Sequence, residues 1–226
     1  MNIVRALPNI DVYLVGGPSG AGKTTFARAL AKEKRALLIP LDNYFVDEEN
    51  VRSSFSLQFG RGFQWDHPSS VDLDLVLQNI TSLLDGRSAR IPIFSFAKNK
   101  RVGHRSRELL RHKSIIVEGL HALELQSGVQ NLSRTVCAIF INAAVDVRRN
   151  RIRNRDAQHR NRPLRDFERR FHFMRIAETR WILPQRRLAH VILDTTSGEF
   201  GVVESDAPSM HRSALHDGAG SNLGYT

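Results

Sequence analysis

The chain of 226 residues predicts an α/β fold in which helices flank a parallel β-sheet. Continuous apolar runs, typical of strands buried on both faces, occupy residues 12–15, 36–41, 114–119, 135–142 and 190–194. Segments with helical spacing lie between several of these runs, and a glycine-rich loop joins the first strand to the first helix. Strands that alternate with helices favour a parallel sheet.

The glycine-rich loop has the composition and spacing of a phosphate-binding loop. Glycines without a Cβ allow successive N–H groups to turn around phosphate oxygens at the start of the next helix. We expect Lys23 to reach the β- and γ-phosphates and Thr24 to offer its hydroxyl to Mg²⁺. The pattern predicts a P-loop NTPase-type fold that binds a nucleotide with Mg²⁺ through Gly17, Pro18, Ser19, Gly20, Ala21, Gly22, Lys23, Thr24 and Thr25.

Two carboxylates follow predicted strands. Asp42 comes after the strand at 36–41, and Glu118 ends the strand at 114–119. Because ligands collect at the carboxyl ends of parallel strands, both should lie beside the phosphate loop. Asp42 is a candidate proton acceptor, with a turn or helix-capping role as the alternative. Glu118 is a candidate Mg²⁺ ligand, with a cap or salt bridge as the alternative.

The segment 46–70 is polar and without sustained periodicity, and we interpret it as a long functional excursion. Within it, Asp66 beside Trp65 suits a sugar, because a carboxylate can accept from hydroxyls while the indole offers a flat apolar face. A loop held by its own aromatic residues is the alternative. Residues 91–96 look like a short edge strand that leads into a basic turn at 97–101.

Arginine is concentrated after residue 146. The segment 148–156 has few apolar residues apart from Ile152, so we expect a solvated helix that closes over phosphates as a lid at about 148–165. Ordinary surface arginines are the alternative. The apolar stripe along 164–181 is typical of core or subunit contact. The arginines concentrated after residue 146, of which only some would belong to the lid, are Arg148, Arg149, Arg151, Arg153, Arg155, Arg160, Arg162, Arg165, Arg169, Arg170 and Arg175.

Composition restricts the remaining classes of function. The net charge of +10 favours anionic partners, and the one cysteine, Cys137, allows no internal disulfide, as expected for a reducing cytoplasm. No apolar run approaches membrane-spanning length, so we expect a soluble protein with no membrane partner. Residues 197–226 are rich in small and polar residues, and we predict a disordered tail after a domain at 1–196.

Together these motifs resemble the uridine kinase family, within the uridine kinase and phosphoribulokinase group of P-loop kinases, over about residues 12–194. The resemblance implies transfer of the γ-phosphate of ATP or GTP to the 5′-hydroxyl of uridine or cytidine, and a chain that forms homo-oligomers. It implies that Asp42 is the catalytic base and Asp66 the ribose ligand. The other implied residues are Lys23 and Arg155 in catalysis, Tyr44, Phe94, Phe96, Arg101 and Arg151 at the substrate, Thr24 and Glu118 at the metal, and Arg155, Arg160 and Arg162 in the lid.

The chain departs from the family in its base-reading segment, where Phe94, Ser95 and Asn99 replace tyrosine, aspartate and histidine. Losing these polar groups removes partners for a pyrimidine edge. A kinase for another ribosyl or sugar-alcohol metabolite, similar to phosphoribulokinase, is therefore the first alternative. A nucleic-acid-binding P-loop ATPase ranks lower, because the arginines match lid positions, and we do not expect nucleic acid as a partner. A nucleotide-binding regulator without catalysis ranks last.

Overall fold

A six-stranded β-sheet forms the centre of the computed structural model, which describes residues 3–47, 65–109, 112–159 and 164–203. Its strands are β1 (Val12–Gly16), β2 (Leu37–Pro40), β5 (Ile115–Glu118), β6 (Val136–Asn142), β7 (Val191–Asp194) and β8 (Gly201–Val203). Their order in the sheet is β2-β5-β1-β6-β7-β8; the strands from β2 to β7 are parallel and β8 is antiparallel to β7. The α/β class is therefore confirmed.

Strand β1 lies inside the sheet, between β5 and β6, and is buried along its whole length. Alternate side chains of a strand point to opposite faces, so Val12 and Leu14 enter one hydrophobic cluster while Tyr13 and Val15 enter the other. This double burial explains the apolar run. It also places the loop that follows β1 at the middle of the carboxyl edge of the sheet.

Helices cover both faces of the sheet. They are α1 (Ile3–Ala6), α2 (Lys23–Lys34), α3 (Leu73–Leu84), α4 (Gln126–Asn131), α5 (Val145–His159) and α6 (Phe167–Ala177). Helix α2 buries Phe26, Ala27 and Leu30, and helix α3 begins at a cap in which the Asp72 side chain accepts from the N–H of Leu75 at 3.0 Å.

A separate β-hairpin stands beside the main sheet. It pairs β3 (Ala89–Ser95) with β4 (Lys100–Arg107) in antiparallel register. The predicted edge strand at 91–96 thus belongs to this hairpin and not to the central sheet. Strand β4 is largely exposed and carries polar side chains on both faces, so it has no apolar alternation in the sequence.

Helix α5 does not have the fully solvated surface that we predict for it. Arg148, Ile152 and Asp156 are all buried, and their spacing of four residues puts them on one face of the helix. Ile152 packs with Phe167 and Phe171, so this part of the apolar stripe predicted in the next segment is core. The two charged side chains are buried because each is paired with a residue outside α5.

Ordered structure extends past residue 197, where we place the start of the tail. The ring of Phe200 lies 5.1 Å from that of Phe26 on α2, and β8 then pairs with β7. The rest of the predicted tail, residues 204–226, lies outside the described residues, as do residues 48–64 of the predicted excursion. None of the helices in the described ranges is both long and apolar enough to span a membrane.

Candidate active site

The phosphate loop has the backbone conformation that its glycines permit. Gly17, Gly20 and Gly22 have φ angles of 130°, 77° and 96°. A Cβ on Gly17 would lie 2.0 Å from the carbonyl oxygen of Ile141, so a larger residue cannot occupy this position without moving β6. The loop leads directly into α2, whose first turn supplies Lys23, Thr24 and Thr25.

Lys23 bends back over this loop. Its Nζ donates to the carbonyl of Pro18 at 3.0 Å. Burial lowers the pKa of Lys23 to about 8, and the negative charges of Glu118 and Asp42 oppose that change. A cation that is poorly hydrated and lies among carboxylates gains most from an incoming phosphate, because the phosphate replaces the lost water.

Thr24 and Glu118 meet at the carboxyl edge of the sheet. The Thr24 hydroxyl donates to Glu118 Oε1 at 3.1 Å, and Glu118 is buried. Burial raises the pKa of Glu118, while the charge of Lys23 acts in the opposite direction. A hydroxyl and a carboxylate in contact are oxygen ligands of the kind that Mg²⁺ prefers beside a nucleotide, so this pair fits the metal.

Two aspartates complete this charged group. Asp42 lies in a 3₁₀ turn (Leu41–Tyr44) that follows β2. Burial raises the pKa of Asp66 to about 6; the charges of His121 and Lys23 lower it, and that of Asp42 raises it. His121 is fully buried, and its Nε2 lies 3.0 Å from the backbone carbonyl of Asp66. The fold thus brings Asp42 and Asp66 to the phosphate loop from different parts of the chain.

An aromatic cluster lies next to these aspartates. Phe45 contacts Trp65 at 5.1 Å and Phe94 at 5.4 Å between ring centroids, in edge-to-face geometry. Phe96 packs on Phe94 at 5.4 Å. Phe94 and Phe96 are therefore close together, and their contact with a substrate stays a prediction. Tyr44 is instead a core residue, fully buried with its hydroxyl accepting from Asn79 at 3.0 Å.

Ser95 and Asn99, where the chain departs from the family pattern, both belong to the hairpin turn. Asn99 has a φ of 50° in the turn between β3 and β4, a left-handed conformation that asparagine tolerates. The N–H of Lys98 donates to the Ser95 side chain at 3.3 Å and to its carbonyl at 3.2 Å. Both residues stabilise the hairpin turn.

Two arginines predicted at the substrate bind the protein itself. Arg101 donates to the carbonyl of Tyr44 at 2.9 Å and to that of Phe45 at 3.0 Å, and it pairs with Asp72. It therefore fixes the segment that follows Asp42. Arg151 donates to the carbonyl of Gly20 in the phosphate loop and to the hydroxyl and carbonyl oxygens of Thr195.

The predicted lid is described only in part. Arg155 lies close enough to Lys23 and Asp66 for its charge to lower the pKa of both, which places it at the charged group. Arg160 and Arg162 lie outside the described residues. The function of residues 148–165 as a lid stays a prediction.

Three residues beside the phosphate loop are missed by the sequence interpretation of the site. Arg148, which the sequence shows only as one of the arginines concentrated after residue 146, forms a buried ion pair with Glu178 and contacts the loop. Thr195 follows β7 and bonds the loop from behind. Position at the carboxyl end of a strand is the signal that could have identified Thr195, whereas nothing local indicates Glu178.

This sheet order, with a phosphate loop after β1, defines a P-loop kinase fold. The sequence model of the Phosphoribulokinase / Uridine kinase family matches residues 12–199, and the chain belongs to this family. It is 30% identical over 191 residues to the uridine kinase of Halobacterium salinarum. The aligned residues cover 83% of this chain and 80% of that protein.

Two further similarities are more limited. The chain is 34% identical over 121 residues to inorganic pyrophosphatase TTM1 of Arabidopsis thaliana, covering 52% of this chain but 17% of that longer protein. The crystal structure of phosphoribulokinase from Rhodobacter spheroides superposes with a TM-score of 0.54 at 14% identity, covering 82% of this chain and 70% of that one. The latter likeness concerns the fold alone.

Proposed function

We propose that this chain transfers the γ-phosphate of ATP, with Mg²⁺, to a hydroxyl of a small-molecule acceptor, and that the 5′-hydroxyl of uridine or cytidine is the first candidate. The observation that carries this proposal is that three acidic and two basic side chains lie together at the phosphate loop. Each influences the pKa of Lys23 or Asp66. The five residues are Lys23, Asp42, Asp66, Glu118 and Arg155.

These side chains divide into a phosphate side and an acceptor side. Lys23 and the loop N–H groups bind the triphosphate, and Thr24 with Glu118 would hold Mg²⁺, which neutralises charge on the phosphates. Asp42 accepts the proton of the attacking hydroxyl of the acceptor. The hydroxyl oxygen bonds to the γ-phosphorus, and the bond from the γ-phosphorus to the β-phosphate oxygen breaks. Asp66 accepts hydrogen bonds from neighbouring hydroxyls of the acceptor, and Arg155 offsets the charge of the transferring group.

The acceptor is the least constrained part of the proposal. Relatives named uridine kinase favour a pyrimidine nucleoside. A kinase for another ribosyl or sugar-alcohol metabolite is the second candidate. It is favoured by the apolar ring of Phe94 within the aromatic cluster and by the bond from the N–H of Lys98 to the Ser95 hydroxyl, which leaves fewer polar groups to read a base.

A panel of acceptors tests both candidates. ADP release with Mg²⁺ and ATP is measured with uridine, cytidine, purine nucleosides, ribulose 5-phosphate and several sugar alcohols, against a control without acceptor. Release that depends on uridine or cytidine supports the nucleoside assignment. Turnover only with a sugar alcohol or sugar phosphate supports the second candidate, a kinase for another ribosyl or sugar-alcohol metabolite. Release that no acceptor stimulates would contradict the kinase proposal.

The pH profile of kcat/KM should have two limbs. Asp66 gains a proton as the pH falls through about 6 and can then no longer accept two hydroxyl hydrogen bonds as a carboxylate. Lys23 loses its proton as the pH rises through about 8 in the free protein, which weakens triphosphate binding. We therefore expect a bell-shaped profile between these values.

The acid limb needs a control, because His67 also titrates nearby and burial lowers its pKa from the usual value. In a His67→Gln variant the acid limb should stay near pH 6. Loss of the limb in that variant would assign it to the imidazole and contradict the role of Asp66. The measurement is kcat/KM for the best acceptor from about pH 5 to about pH 9.5.

A further inference from the structure

Two arginines of α5 donate hydrogen bonds to backbone carbonyls of the phosphate loop. The carbonyl of Gly20 accepts from Arg151 Nη1 at 3.2 Å, and the carbonyl of Ser19 accepts a longer bond from Arg148 Nη1 at 3.4 Å. Residues three apart lie on the same face of a helix. The two guanidinium groups therefore approach adjacent peptide groups of the loop from the same side.

A third donor continues this series. The hydroxyl of Thr195, a buried residue that follows β7, donates to the carbonyl of Ala21 at 2.8 Å. The same oxygen accepts from Arg151 Nη1 at 2.8 Å, and the Thr195 carbonyl accepts from Arg151 Nη2 at 2.7 Å. Three successive carbonyls thus have side-chain donors. We name Arg148, Arg151 and Thr195 the outer clamp.

The outer clamp has its own support. The guanidinium of Arg148 makes two bonds of 2.8 Å to the carboxylate oxygens of Glu178, and its Nε donates to the carbonyl of Ala143 at 2.8 Å. Glu178 begins the π-helical turn (Glu178–Ile182) that follows α6. Both members of the ion pair are buried, so the guanidinium has little freedom to leave the loop.

Peptide geometry connects the clamped carbonyls to the phosphate side of the loop. In a trans peptide group the carbonyl of one residue points opposite to the N–H of the next. Fixing the carbonyls of Ser19 and Ala21 therefore directs the N–H groups of Gly20 and Gly22 away from the clamp. The N–H between them, that of Ala21, closes a turn on Pro18 at 3.3 Å.

We propose that Arg148, Arg151 and Thr195 are positioning residues, which hold the peptide groups of the loop in the orientation that binds nucleotide phosphates before the nucleotide arrives. Donors on a carbonyl also polarise its peptide group, which strengthens the N–H as a donor to an anion. This role replaces direct contact with the acceptor as the function of Arg151. The inference rests on the proposed use of the loop for ATP and does not depend on the acceptor.

Nucleotide binding by the full chain tests the outer clamp. The Kd values of Mg²⁺-ATP and of ADP are measured by titration calorimetry, together with the unfolding midpoint of each variant. Thr195→Val keeps the shape but removes the hydroxyl, and Thr195→Ser retains it. Arg151→Gln removes one clamp donor. Arg149→Gln is its matched control, because Arg149 is on the same helix but pairs with Glu168 at the surface.

We expect Thr195→Val and Arg151→Gln to weaken both nucleotides about tenfold, since each loses at least one bond to the loop. Thr195→Ser should stay within about threefold and Arg149→Gln within about twofold of the native protein. The conservative rescue distinguishes positioning from general destabilisation, which the unfolding midpoints report separately.

Two results would overturn the outer clamp. The first is an equal loss in Arg149→Gln and Arg151→Gln, which would mean that only the charge of α5 matters. The second is native nucleotide affinity in Arg151→Gln with a raised KM for the acceptor, which would return Arg151 to the substrate. Failure of the native chain to bind ATP would instead overturn the proposed function, and the clamp with it.

Discussion

Replacing Lys23 with alanine should lower kcat/KM by about 10³-fold and weaken the binding of Mg²⁺-ATP. Lys23 is the cation at the base of the phosphate loop, and burial has already removed much of its water. Alanine would leave the phosphate charge without this partner. It would also leave the buried carboxylate of Glu118 without the positive charge that now opposes the rise of its pKa. Turnover and nucleotide titration of the variant are the measurements.

Lys32→Ala is the matched control for this prediction. Lys32 is an exposed lysine on the same helix, so its loss removes an equal charge far from the loop. We expect its kcat/KM to stay within about twofold of the native value. Comparable losses in the two variants would show that the net positive charge of α2, and not the position of Lys23, binds the triphosphate.

The central part of the site could be predicted from the sequence because its signals are local. The glycine spacing before Lys23, and the apolar runs that end near Asp42 and at Glu118, are each contained in a short segment. Parallel strands then bring their carboxyl ends together whatever the loops between them contain. The positions of these side chains therefore follow from the strand pattern and the topology of the sheet.

The surroundings of the loop could not be predicted in the same way. The bond from Thr195 to Ala21 joins residues 174 positions apart, and that between Arg148 and Glu178 joins residues 30 positions apart. Hydrophobic periodicity treats every arginine as a surface residue, so the sequence predicts a solvated α5 although Arg148 is buried and paired. The sequence assigns Arg151 to the substrate, whereas the structure bonds it to the phosphate loop and Thr195. The sequence cannot distinguish these roles, because an arginine suits a phosphate and a peptide carbonyl equally well.

The exposed strand β4 illustrates a further limit. It has no apolar alternation, and its pairing with β3 depends on the turn at Asn99 and on contacts of Arg101 with the segment after β2. A strand whose faces are both polar carries no periodic signal. The same contacts hold Phe45 in the aromatic cluster, so the wall of the predicted acceptor pocket depends on interactions distant in sequence.

Replacing Asp42 with asparagine should lower kcat by about 10²- to 10⁴-fold and leave the affinity for Mg²⁺-ATP nearly unchanged. Asparagine has the size of aspartate but cannot take the proton of the attacking hydroxyl. Asp42 lies after β2, outside the phosphate loop, so nucleotide binding does not require it. Asp74→Asn, at the exposed first turn of α3, is the matched control and should keep native turnover.

Asp66 is the competing candidate for the base, because its pKa of about 6 makes it the better match to neutral pH. Position favours Asp42, which directly follows β2 at the carboxyl edge of the sheet, beside the phosphate loop. We therefore expect Asp66→Asn to act mainly on the KM of the acceptor and Asp42→Asn on kcat. If the two variants exchange these effects, Asp66 is the proton acceptor and Asp42 binds the neighbouring hydroxyls.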